Sequence, residues 1–219
     1  MCNYKVKRLV CNLIEENRYV LWDATTREAA VIDCGAWNEA EQQQLADLIE
    51  AERLRPVLSL LTHAHFDHIF GLQFLYDTYG LRPRMHPAEH ANYEMASRQT
   101  EIFLHRSISL ATPPAGDDLS DGERISLGSL TLEVIPTPGH TAGGVCFYLA
   151  DDEPAKGLLF SGDTLFRQSV GRTDLPGGST HALTQSIVTR LFPLPAPTHV
   201  LPGHGETTTI GDERGMSIF

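Results

Sequence analysis

The 219-residue chain carries 28 acidic against 17 basic side chains, a formal net charge of −11, and 42% hydrophobic residues. That length suits one domain with a sizeable core, so residues 1–219 are read as a single unit. The acidity and the lack of any basic run exclude nucleic acid as the main partner, and no apolar run approaches the roughly 18 residues that cross a bilayer, so no membrane partner is expected.

Three stretches near the N-terminus read as strands: residues 4–14, which partly alternate, residues 18–23, and residues 28–33 after the Thr25-Thr26 turn. Asn38 predicts a helix cap, with Glu39 and Glu41 favourable in the first turn and Leu45, Leu48 and Ile49 forming an apolar stripe. Pro56 ends that unit, and residues 57–61 form the continuous apolar run of a central strand buried on both faces. A histidine cluster follows Thr62, then helices over about 68–79 and 87–105, the second with Pro87 favourably placed at its start. Residues 111–122 (ATPPAGDDLSDG) predict a polar surface loop suited to border a substrate cleft. Residues 123–127 and 130–135 flank Gly128-Ser129 as a hairpin, and 143–150 and 158–161 are further strands. Leu183, Ile187, Val188 and Leu191 mark one face of a helix starting near Ser179, and 198–201 is a last short strand. This order predicts an α/β fold, an αββα sandwich of two face-to-face sheets with helices on both outer faces.

The N-terminus is charged, with no apolar signal-peptide core. The four cysteines (Cys2, Cys11, Cys34, Cys146) lie far apart with no C-x-x-C spacing, and read as buried or free thiols in a reducing cytoplasm.

The motif that carries chemistry is His63-Ala-His65-Phe-Asp67-His68, directly after the predicted central strand. Imidazole and carboxylate are good ligands for borderline divalent cations. His63 and His65, two apart in extended backbone, project to one side, while Asp67 and His68 fall where the chain turns into the next helix and can face a second point. Three further segments end an apolar strand in a glycine turn that displays His or Asp: Pro138-Gly-His140-Thr141, Ser161-Gly-Asp163-Thr164 and Pro202-Gly-His204-Gly205. Glycine there permits tight turns and close approach to a bound ion.

In this combination the sequence resembles the metallo-β-lactamase superfamily, with its five motifs at Asp33, at the cluster His63 to His68, and at His140, Asp163 and His204. The resemblance implies two divalent metal ions, with His63, His65 and His140 at the first, Asp67, His68 and His204 at the second, and Asp163 bridging both. Zinc suits these ligands best, and iron or manganese would also fit. Asp33 then either orients ligands from behind or merely closes its strand. His86, His90, His105, His181 and His199 match no motif and are read as structural or solvated.

The segments from Gly162 to Gly178 and from Leu201 to Arg214 are similar to the short glyoxalase II-like hydrolases. Hydroxyacylglutathione hydrolases of that kind typically add a helical C-terminal domain with basic groups for glutathione. Here the sequence stops fifteen residues after His204, so weak selectivity for glutathione is expected. Arg172 either anchors a substrate carboxylate or pairs with an acid such as Asp174.

The implied activity is hydrolysis of a thioester such as S-lactoylglutathione, a small-molecule S-2-hydroxyacyl substrate. A hydroxide shared by the two ions attacks the acyl carbon while a metal stabilises the oxyanion. Asp67 is the expected catalytic residue, holding that nucleophile in line, and a thiolate leaving group needs no dedicated acid. The competing readings are a hydrolase of another ester or amide, a mononuclear iron persulfide dioxygenase using His63, His140 and Asp163, and a non-enzymatic metal-stabilised binding protein. Seven ligands at strand ends form an open site rather than the closed four-ligand set of a structural zinc, which argues against the last.

Overall fold

The computed structural model describes residues 3–106, 108–151, 153 and 157–215; Cys2 lies outside them. Strands β1 (Tyr4–Cys11), β2 (Glu16–Asp23), β3 (Glu28–Ile32), β4 (Arg55–Leu60) and β5 (Pro83–Arg84) form the first sheet in that order. The second sheet runs β13 (Thr208–Thr209), β12 (His199–Pro202), β9 (Leu158–Gly162), β8 (Val145–Leu149), β7 (Leu130–Pro136) and β6 (Arg124–Leu127). A two-stranded ribbon, β10 (Leu165–Phe166) with β11 (Ser169–Val170), follows β9.

Alternation along the strands builds three layers of core. Tyr19 and Leu21 of β2 face the second sheet, meeting Phe147 and Phe160, while Val20 and Trp22 face the helices outside the first sheet. On that outer face lie α1 (Glu39–Ala51), α2 (Phe66–Ile69) and α3 (Leu72–Tyr79), which contribute Leu45, Ile69 and Leu75. Outside the second sheet, α6 (Thr180–Ser186) and the turn Ile187–Leu191 pack Leu183, Ile187 and Leu191 on Cys146, Leu159 and Val200. The αββα sandwich is thus the observed architecture. Among the described residues no helix is long and apolar enough to cross a membrane.

Local chemistry explains where elements begin. The Asn38 side chain accepts the Glu41 N–H at 3.0 Å, capping α1 as expected. Ser179 caps α6 through the Ala182 N–H at 3.2 Å.

Several expected boundaries are corrected. β1 stops at Cys11, short of residue 14, because Asn12 turns left-handed (φ 58°) and its Oδ1 accepts the Ile14 N–H. The first three residues after Arg55 in β4 are only half-buried; full burial is confined to Ser59 and Leu60. The helix expected over 68–79 is two pieces, α2 and α3, because Gly71 lies against the strand-end loop: a Cβ there would sit 2.7 Å from Cys34 Sγ. The helix expected over 87–105 divides into a 3-10 turn (Pro87–Glu89), α4 (His90–Glu94) and α5 (Ala96–Leu104), with non-helical backbone at Met95. The loop at 111–122 does not border the metal cleft described below; Ala115, Gly116 and Asp117 line a separate cavity beside Arg82 and Arg84. Strands β5, β10, β11 and β13 and helix α7 (Ile210–Glu213) have no counterpart in the expected elements.

Candidate metal centre

The topology gathers the histidine and aspartate motifs at one edge of the sandwich. β3 and β4 are parallel, as are β9 and β12, and β7 runs antiparallel to β8, which runs antiparallel to β9. The C-terminal ends of β4, β7, β9 and β12 therefore carry His63 to His68, His140, Asp163 and His204 to a common edge. Bonds between the sheets close it: Asn17 N–H donates to Gly203 O at 2.7 Å, and Tyr19 hydroxyl to Pro202 O at 2.9 Å. Gly203 is needed for close approach, since a Cβ there would meet Asp163 Oδ1 at 2.3 Å.

Seven donor side chains converge in two groups. His63 Nε2 and His140 Nε2 lie 3.1 and 2.9 Å from His65 Nδ1. Asp67 Oδ2 lies 3.4 Å from His68 Nε2 and 3.2 Å from His204 Nε2. Asp163 touches both groups, with Oδ2 3.6 Å from His140 Nε2 and 3.7 Å from His204 Nε2, and Oδ1 3.5 Å from His68 Nε2.

The outer hydrogen bonds determine which nitrogens face inward with lone pairs. His140 Nδ1 meets the Arg172 carbonyl at 2.8 Å, and His204 Nδ1 the Ile14 carbonyl at 3.1 Å. Carbonyls only accept, so both Nδ1 atoms carry a proton, and Nε2 is the nitrogen turned toward the other donors. Asp33 orients two more rings from behind: Oδ2 accepts from His68 Nδ1 at 3.0 Å and from Thr62 Oγ1 at 2.8 Å, leaving that hydroxyl to accept from His63 Nδ1 at 3.1 Å. Such outer bonds hold imidazole ligands in orientation. Asp33 itself is held in left-handed backbone (φ 51°), a conformation that aspartate tolerates better than most side chains.

Burial and charge sort the groups further. Burial, then the neighbouring His68 and His65, hold His63 well below its ordinary pKa; burial, then His140, bring His65 down to about 4. Both are neutral at physiological pH, the form in which imidazole can bind a metal ion. Burial opposes charge on His68, but Asp67, Asp33 and Asp163 overcome it and raise its pKa well above the ordinary value. Burial likewise favours the neutral form of Asp163, yet His68 and the other imidazoles hold its carboxyl well below the usual range. His68 Nε2 and Asp163 Oδ1 are buried without a hydrogen-bond partner. Orphaned polar atoms of this kind are costly unless a cation satisfies them. The donor set therefore fits divalent metal.

Three supporting residues carry no motif. The Glu89 carboxylate, fully buried, accepts from Ala64 N–H at 2.8 Å and Gly143 N–H at 2.9 Å, tying the His63–His65 segment to the loop of His140. Gln99 holds the next turn, accepting from Phe66 N–H and donating to Ala64 O. Glu16 stands behind His68, its Oε1 4.0 Å from Nδ1 and its Oε2 accepting from Cys11 Sγ; burial raises its pKa to about 8. Pro87 and the expected helix start pointed to this region, but nothing local marks Glu89 as a tie between loops. Glu89→Ala strands two buried N–H groups, so it is expected to destabilise the fold by about 1–3 kcal/mol per group. It should also weaken metal binding by His63, His65 and His140, read by denaturant unfolding and metal titration on one preparation.

The centre opens into a cleft of about 440 Å³, within the usual range for small-molecule sites. His65, Asp67, His140, Asp163 and His204 line it, together with the apolar Ile14, Phe66, Phe103, Leu104, Phe166 and Leu175. Arg172 also lines it, and its exposed guanidinium makes a bidentate pair with Asp174 at 2.7 and 2.8 Å. Both readings of Arg172 thus have a structural footing.

Residues 14–204 match the Metallo-beta-lactamase superfamily. The chain is 32% identical to the hydroxyacylglutathione hydrolase GloC of Haemophilus influenzae, over 94% of this chain and 92% of that one. It is similar to the crystal structure of the BLEG-1 B3 metallo-beta-lactamase, with 37% identity, a TM-score of 0.85 and 97% of each chain covered. A crystal structure of TTHA1623 in a di-iron-bound form gives 36% identity and a TM-score of 0.81, covering 97% and 100%. Fold, donor arrangement and sequence agree: the chain belongs to the metallo-beta-lactamase superfamily.

Proposed function

We propose that this protein is a two-metal hydrolase of thioesters, acting on a small S-2-hydroxyacyl substrate. The observation that carries the reading is the carboxylate of Asp163, set within 3.7 Å of donors from both groups. His63, His65 and His140 would hold one ion, Asp67, His68 and His204 the other, and Asp163 both; zinc is the first choice. Divalent ions held there would supply Lewis acidity toward an acyl oxygen and would acidify water at neutral pH.

The chain's own residues do the rest. Asp67 lines the cleft beside His204 and His68, where its carboxylate accepts a hydrogen bond from an attacking water and fixes its direction. Asp33 and the carbonyls of Ile14 and Arg172 keep the imidazoles in the tautomers described above. The apolar walls exclude bulk water, which strengthens every electrostatic contact inside. A thiolate departs without needing a proton, in keeping with a cleft that offers no separate carboxylic acid among its lining residues. The three described cysteines are buried and free, which supports a reducing, cytoplasmic setting.

Thiol release from S-lactoylglutathione and simpler S-2-hydroxyacyl thioesters, followed alongside oxygen uptake, tests the proposal. Hydrolysis without oxygen uptake is expected; oxygen consumption on a persulfide with no thioester cleavage would overturn it in favour of an iron oxygenase. Exposed ion pairs contribute little to stability, so Arg172 can leave Asp174 for a substrate carboxylate at small cost. Arg172→Ala is then expected to raise KM several-fold with kcat nearly unchanged, the mark of lost uniform binding. An unchanged KM would assign Arg172 to structure, through its pair with Asp174 and its carbonyl's bond to His140.

A further inference from the structure

The cleft has a side compartment. A second cavity of about 110 Å³ shares His65, Phe103 and Leu175 as walls with the main cleft. Met95 and Ile102 line it, and both are large apolar side chains left 44% and 53% exposed beside the metal centre. Its two amides are already engaged: Gln99 bonds Phe66, Ala64 and Asn92, and Asn92 donates to Glu89. They offer little to a polar ligand. Phe103 is held in place by stacking on Phe66, with ring centroids 5.7 Å apart and planes 17° from parallel, and lies edge-on to His65 at 6.3 Å.

The charges point the same way. Among the residues lining the two cavities Arg172 is the one Lys or Arg, and it already faces Asp174. A ligand with several carboxylates finds few counter-charges here, whereas an apolar group finds a continuous wall that begins at the imidazole of His65.

We propose that this side cavity is the specificity subsite of the centre and seats a compact apolar substituent, a short alkyl chain or a single aromatic ring, carried beside the scissile thioester. The proposal rests on the thioester reading for what is cleaved, but the binding itself does not depend on it. At about 110 Å³ it is smaller than the roughly 150 Å³ apolar cavity that takes up benzene, but its walls at Met95 and Ile102 are partly open to solvent, so a small group can seat there without full enclosure. Phe103 and Leu175 form the partition between reacting centre and subsite, so they set the selectivity.

Two thioethers that cannot be hydrolysed separate subsite from chemistry: N-acetyl-S-benzylcysteine and N-acetyl-S-methylcysteine, titrated calorimetrically into the zinc-loaded full chain. The benzyl compound is expected to bind tighter by on the order of tenfold, from the added apolar area alone. Ile102→Ala, which touches the side cavity and not the main cleft, should shrink that ratio to below about threefold, and Met95→Ala gives the same reading if the first variant fails to fold. Equal binding of the two compounds, or a ratio that survives both substitutions, would overturn the subsite. Thiol release is measured separately. Selective binding with no thioester cleavage would sink the hydrolase reading and keep the subsite, while cleavage with no selectivity would do the reverse.

Discussion

Asp163→Ala is expected to lower bound metal from two ions per chain to one or fewer, and to lower kcat by a factor on the order of 10³. The expectation follows from position: the carboxylate lies between His140 Nε2 and His204 Nε2 at 3.6 and 3.7 Å, so its removal takes a donor from both groups at once. Losing only an outer-layer partner of a metal ligand typically costs 10- to 100-fold in affinity, and a shared donor should cost more. Fold stability should suffer less than activity, because the substitution also removes a buried charge that repels Asp67. Metal analysis and kcat on the same preparation check the result; two tightly bound ions in the variant would remove Asp163 from any bridging role.

Asp67→Asn separates ligation from positioning. The amide keeps size and one oxygen but loses the charge that His68 and His204 face at 3.4 and 3.2 Å. In the wild type, burial would raise the Asp67 pKa, but His68 and His204 bring it below the ordinary value, so the group is a carboxylate and a strong acceptor at neutral pH. If it orients the attacking water, kcat should fall by a factor on the order of 10² or more. Metal held by His63, His65 and His140 should persist, since their outer bonds to Thr62 and the Arg172 carbonyl are untouched. His63→Ala provides the contrast, with metal and activity falling together. Near-normal kcat in Asp67→Asn with two ions bound would reduce Asp67 to a scaffold ligand.

How much of this was legible in the sequence depended on how local the information is. His63, His65, Asp67 and His68 stand within six positions, so strand and helix geometry alone suffices to split them between two points. His140, Asp163 and His204 are far apart in the chain, and their glycine turns became informative only as a set. Asp33 was marked by its place at a strand end, but the hydrogen bonds that define its work reach 29 and 35 residues ahead, to Thr62 and His68. Glu89 and Gln99 act through bonds to distant backbone within a stretch whose periodicity reads as one helix. The breaks at Gly71 and Met95 arise from tertiary contacts that override helix propensity. The polar loop at 111–122 illustrates the converse: turn-rich composition places a segment at the surface without saying beside which cavity. Strands of two residues such as β5 and β10 are too short for any alternation to register.

A two-metal centre built from five imidazoles and two carboxylates has a direct signature in the metal-to-chain stoichiometry. The purified full chain, stripped and titrated with zinc, should saturate at two ions. The second binding step should release protons, because His68, whose pKa is raised by Asp67, Asp33 and Asp163 against the effect of burial, must give up its proton to become a ligand. Saturation at one ion per chain, with no second step at any zinc concentration, would rule out a two-metal centre.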